Sequence, residues 1–88
     1  MNFRWNQWNT QHIAEHGVEP EDAEAAVLDA SAPYSRYRGD GKWLVWGRGT
    51  DGKPLQVVFV FDEEGAIFVI HARPLTPREE QRFRRNRK

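Results

Sequence analysis

The apolar positions of this chain follow two periods. Up to Ala30 they recur every three or four residues, as on one face of a helix, and from Tyr34 to Arg73 they recur every second residue, as on a strand. Asn2–Trp5 (NFRW) reads as a short opening strand. Asn6 or Asn9 can cap a helix running to His16, with Gly17 just beyond its end. Trp5, Trp8, His12 and His16 line one stripe of that helix, flanked by Ile13, and this stripe is expected to face inward onto the sheet. A second helix covers VEPEDAEAAVLDA, with Pro20 in the first position and Glu21 and Asp22 at its positive end. Ala23, Ala26, Val27 and Ala30 form its apolar face, and Ser31-Ala32-Pro33 ends it.

The strand region is punctuated by turn signals. YSRYR and KWLVWGR are separated by GDG, TDGK makes the next hairpin, and DEEG the one after. LQVVFVF is apolar on both faces, the mark of a central strand. In AIFVIHAR strict alternation puts Ala66, Phe68, Ile70 and Ala72 on one side and Ile67, Val69, His71 and Arg73 on the other. The last segment, TPREEQRFRRNRK, opens with Thr76 and Glu79 at capping-box spacing and Pro77 between them, a strong helix start. The resulting order is β-α-α-β-β-β-β-α: an α+β domain, an antiparallel meander packed by helices. No repeat or linker divides it, so residues 1–88 read as one domain, with 84–88 as a frayed basic tail.

Composition narrows the chemistry. At 88 residues the core must be economical, and four Trp, two Tyr and five Phe supply much of it. The chain has no Cys, which removes disulfides and thiolate chemistry and fits a cytoplasmic location. No stretch resembles a signal peptide or a membrane span. Net charge is zero but polarised: residues 1–30 carry one base against six acids, and residues 76–88 six bases against two acids. The basic end suits an acidic partner such as nucleic acid, or is simply a solvated tail.

Two constellations carry candidate chemistry. HIAEH (His12–His16) matches H-x-x-E-H, the inverted zinc-protease signature, in which His12 and His16 would chelate zinc and Glu15 act as base. Only three of its five positions are specified, and a third ligand would have to be His71. The plainer reading is histidines bonded within the core, or lining a site without metal. The second constellation is basic. His71 and Arg73 project near the end of a strand, Arg48 ends another, and Arg78 and Arg82 are four apart on the last helix. RNA cleavage without a metal needs a base for the 2′-hydroxyl, a cation for the phosphorane and an acid for the leaving oxygen. Imidazole and guanidinium meet those needs. Solvated strand ends with Arg–Glu pairs would look the same in sequence.

The chain resembles the BrnT-type toxins of bacterial type II toxin–antitoxin systems, relatives of the RelE-like ribonuclease toxins. The resemblance rests on an ordered set: Phe3, Trp5 and Asn6; His16-Gly17-Val18; Glu21-Asp22-Ala23; Gly47-Arg48-Gly49; Asp51-Gly52-Lys53; Val57-Val58; Ile70-His71-Ala72-Arg73; and the helix from Thr76 to Phe83. It implies a small RelE-like domain that cleaves RNA and arrests translation, needs no cofactor, and is held by a BrnA-like antitoxin with a ribbon-helix-helix DNA-binding part. Arg48, His71 and Arg73 are then the expected catalytic residues, and His16, Arg78 and Arg82 the expected RNA contacts. Trp8 and His12 sit where many members carry charged or amide residues, and Phe83 where a Tyr is common. The alternative is a catalytically degenerate binding module for an antitoxin-like protein or nucleic acid, and, more distantly, a zinc hydrolase.

Overall fold

A computed structural model describes residues 2–86. Three helices, α1 (Gln7–Ala14), α2 (Pro20–Asp29) and α3 (Pro77–Asn86), surround four strands, β1 (Arg36–Gly39), β2 (Lys42–Arg48), β3 (Pro54–Phe61) and β4 (Ile67–Pro74). The strands form one antiparallel sheet in the order β1-β2-β3-β4, so β3, apolar on both faces, has a neighbour on each side. The opening strand is reduced to a single parallel bridge between Phe3 and Ile67 on the outer edge of β4.

The helix ends follow local chemistry. Asn6 caps α1 by accepting from the Asn9 N–H, and Asn9 reciprocates by accepting from the Asn6 N–H. The fully buried Asn9 side chain also donates to the Arg4 carbonyl. The regular helix stops at Ala14, two residues short of the expected end. Its last turn closes with Gly17 N–H to Ala14 O (3.0 Å) and Val18 N–H to Ile13 O (3.3 Å). This closure requires a left-handed residue, and Gly17 has φ +74°. Val18 then folds back into the core beside Ile13.

One face of the sheet receives α1 and α2. Ile13, Val18, Ala23, Ala26, Val27, Val45, Leu55, Val57, Phe59, Ile67, Val69 and Ala72 make one buried cluster. Alanines on α2 let its backbone approach β2 closely. At Gly47 an added Cβ would lie 2.0 Å from the Ala26 carbonyl oxygen, so only glycine fits. Asp29 at the end of α2 accepts the Arg48 backbone N–H (2.8 Å), and Trp5 donates to Glu24 (2.7 Å), fixing α2 at two points.

The other face carries a smaller cluster, Trp46, Leu75 and Phe83, with Tyr34 and Leu44 packed against it under α3. Tyr34 does not begin the first strand as expected. It stacks on Trp46 (centroids 5.4 Å apart), and pairing starts at Arg36.

Alternation in β4 also breaks. Val58 pairs with His71 and Phe59 with Val69, so Ile70 is left without a partner on β3. This is a β-bulge, and it reverses the faces beyond it. Ile67, Val69 and Ala72 face the main core, whereas His71 and Arg73 lie opposite Val58 and Gln56 on the α3 side. The strict reading, which grouped His71 and Arg73 with Ile67 and Val69, is corrected by one inserted residue. A second correction concerns the basic end: Arg84, Arg85 and Asn86, expected in a frayed tail, belong to α3, where Arg84 pairs with Glu80 one turn back. Residues 87 and 88 of that expected tail lie outside the described residues.

Candidate active site

The α3 side of the sheet collects the basic residues. Gly47 faces α2, so its neighbours Trp46 and Arg48 face the other way. Arg36 pairs with Leu44 and shares that side, as do His71 and Arg73 beyond the bulge. Arg48 and Arg73 therefore stand on one face. They flank α3 at different points and do not meet each other. The Arg48 guanidinium lies 5.5 Å from the Phe83 ring centre, a cation–π contact. Arg73 binds the first turn of α3.

The Arg73 contact is bidentate, with Nη1 and Nη2 donating to the two Glu79 carboxylate oxygens at 2.8 and 2.9 Å. Glu79 also accepts the Thr76 N–H (2.8 Å), while Thr76 Oγ1 accepts the Glu79 N–H (3.2 Å), completing the capping box that the sequence announces. Hydrogen bonds from Arg73 hold the Glu79 carboxyl well down, to about 2. Arg73, expected as a catalytic residue, is thus engaged with α3. Arg78 and Arg82 are exposed on the same helix, and Arg82, Arg36 and Glu79 all act electrostatically on the Tyr34 phenol, whose pKa burial pushes up. Sequence reasoning passed over Tyr34, which supplies a phenol on this face although position 83 is Phe. The strand pattern of YSRYR hid it.

The histidines meet on the other side of Arg73. His16, just past α1, and His71 lie edge to face with ring centroids 5.3 Å apart. His71 is half-buried, and its pKa is lowered by burial first, then by His16, Arg73 and His12. It is therefore a neutral imidazole at neutral pH, beside the Arg73 guanidinium. His12 instead stacks on Trp8, centroids 5.0 Å apart and planes within 7°. The two histidines of HIAEH thus face different partners, and among the described residues no three His, Cys, Asp or Glu side chains are grouped to hold a metal ion. A cleft of about 330 Å³ lies elsewhere, between α2 and the far end of the sheet. Val27, Ala30, Tyr34, Phe59 and Phe61 line it, and none of the residues expected from sequence does.

The fold and this face define a small α+β domain with two imidazoles and a set of arginines on the side of the sheet that α3 only partly covers. The fold is BrnT-like: the chain superposes on the crystal structure of the Brucella abortus ribonuclease toxin BrnT with a TM-score of 0.68, over 86% of this chain and 97% of that one, at 20% identity. No family model matches the sequence, and no curated protein matches it. Among the described residues no helix is long and apolar enough to cross a membrane.

Proposed function

We propose that this protein is the toxin of a bacterial toxin–antitoxin module, a cytoplasmic, metal-independent endoribonuclease that arrests translation. The observation that carries this reading is the meeting of His16, His71 and Arg73 on the α3 side of a BrnT-like sheet. In the proposed reaction neutral His71 takes the proton of a ribose 2′-hydroxyl. The 2′-oxygen attacks the adjacent phosphorus, forming a 2′,3′-cyclic phosphate as the bond to the 5′-oxygen breaks. His16 serves as the general acid that gives a proton to that leaving oxygen. Arg48 and Arg82 contact the phosphates flanking the site and offset charge on the phosphorane, with Arg78 further along α3. Arg73 is a positioning residue: it fixes α3 through Glu79, and its charge adds to burial and to His16 in lowering the His71 pKa.

The partner of such a toxin is an antitoxin with a ribbon-helix-helix part, and the exposed arginines of α3 suit an acidic segment of it. Induced expression in a bacterial host tests the reading. Wild type should stop growth and fragment RNA, and His71→Ala should relieve both while remaining folded. Normal growth with intact RNA from folded wild-type protein would move the assignment to a degenerate binding module.

A further inference from the structure

We infer that the exposed seam where α1 meets β4 is a stacking subsite for a nucleobase of single-stranded RNA, built by Trp8, His12 and Phe68 beside the His16–His71 pair. The inference rests on the ribonuclease reading and adds to it a place where the substrate is held. Trp8 is 54% exposed, unlike Trp46, which is buried and donates to Gln56 (3.1 Å). Its indole is nearly parallel to His12, and also to the β4 ring of Phe68 at 6.0 Å and 15°. The indole N–H makes no hydrogen bond to the described residues, so Trp8 keeps a donor as well as a large apolar surface in solvent. Three rings in register, at the surface, form the kind of platform on which bases stack regardless of identity.

Position ties the platform to the site. The start of α1 lies against Phe68, and its far end brings His16 to His71. Trp8 and His16 are two helical turns apart, about 12 Å along the axis, a span short enough for neighbouring nucleotides of one strand. A base on the platform would leave its phosphate near His16, His71 and Arg73. Glu15 is the one acid between Asn6 and Gly17 and is exposed. It repels phosphate, which turns the backbone of the strand towards β4. RNA readers commonly use unstacked bases held on aromatic side chains in this way.

The test is a titration of the purified full chain with a dye-labelled single-stranded oligonucleotide, 2′-O-methylated throughout so that it cannot be cut. Cleavage of the matching unmodified RNA is followed in parallel. Trp8→Ala should weaken binding by about 5- to 100-fold, and Trp8→Phe should restore most of it. Moving a single abasic position along the oligonucleotide should find one place where the missing base weakens wild type but not Trp8→Ala. Far-ultraviolet circular dichroism and the urea midpoint establish that the variants fold, and His12→Ala, expected to weaken binding in the same direction, gives a second readout. Wild-type affinity in folded Trp8→Ala, or an effect confined to self-association, would overturn the subsite while cleavage by wild type left the ribonuclease reading standing. Wild type that neither binds nor cuts RNA would overturn both.

Discussion

On the side of α1 and α2 the sheet buries an aliphatic cluster in which Ile13, Ala23, Ala26, Val57, Val69 and Ala72 have no exposure. On the side of α3 it buries Trp46, Leu75 and Phe83, and leaves Val58, Val60, Phe68 and His71 half-exposed. The first face is made mostly of small and branched side chains at close approach, with Phe59 among them and a glycine where even a methyl group cannot fit. The second is made of aromatic rings, arginines and imidazoles, held by one bidentate ion pair. In so short a chain there is material for one complete core. Stability rests mainly on the closed face, which frees the open face to carry partly desolvated charges that a core would not tolerate.

The largest expected effect lies on the closed face. Gly47→Val drives a branched side chain into the Ala26 carbonyl, and overpacking of this kind costs about 3 kcal/mol. Urea unfolding should show a large fall in midpoint, and an unchanged midpoint would remove the close approach from the account. Phe83→Ala acts on the open face. It removes the ring under Arg48 from the small cluster, for about 3 kcal/mol if the site cannot collapse. Hydrogen exchange should rise first in α3 while β3 stays protected; equal loss on both faces would mean that the two clusters are not separable.

The Arg73–Glu79 pair gives a smaller, pH-dependent effect. The Glu79 carboxyl is held below its ordinary value of 4.5, at about 2, so the native state favours the carboxylate. Its contribution is complete above 4.5 and is lost as pH falls towards 2, on the order of 2 kcal/mol after screening by solvent. Glu79→Gln should flatten that part of the stability curve, and an unchanged acid limb would show that the pair adds nothing. The smallest effect is that of His71. Its pKa is depressed, so the unfolded state takes up a proton first, and stability declines slightly as pH falls below 6.5 towards the depressed value. His71→Gln should remove this slope.

Much of the closed face is legible in sequence because its signals are local. Asn6 or Asn9, and Pro20 with Glu21 and Asp22, mark helix starts within four residues, and LQVVFVF declares a central strand by being apolar throughout. The open face is less legible because it depends on pairing. Nothing between Ile67 and Pro74 shows that Ile70 bulges; the inserted residue is defined only against Val58 and Phe59 on another strand. That one residue carries His71 and Arg73 out of the core. Thr76 and Glu79 read correctly as a cap, yet the same Glu79 also takes Arg73, six residues earlier across a strand end, which spacing does not reveal. Trp8 and His12 read as an inward stripe with Trp5 and His16, whereas α1 rolls so that Asn9 and Ile13 are buried and Trp8 stays outside.

The central claim is that the bulge delivers a neutral His71 to act as the base in RNA cleavage. The most direct measurement is the pH–rate profile of the purified protein on a short unstructured RNA, set beside His71→Gln and beside the same strand with 2′-deoxyribose throughout. The account predicts cleavage that leaves a cyclic phosphate, an acid limb with its midpoint below 6.5, no reaction on the deoxy strand, and loss of at least about 100-fold in rate with the limb abolished in His71→Gln. Cleavage by His71→Gln at the wild-type rate, with the same limb, would contradict it.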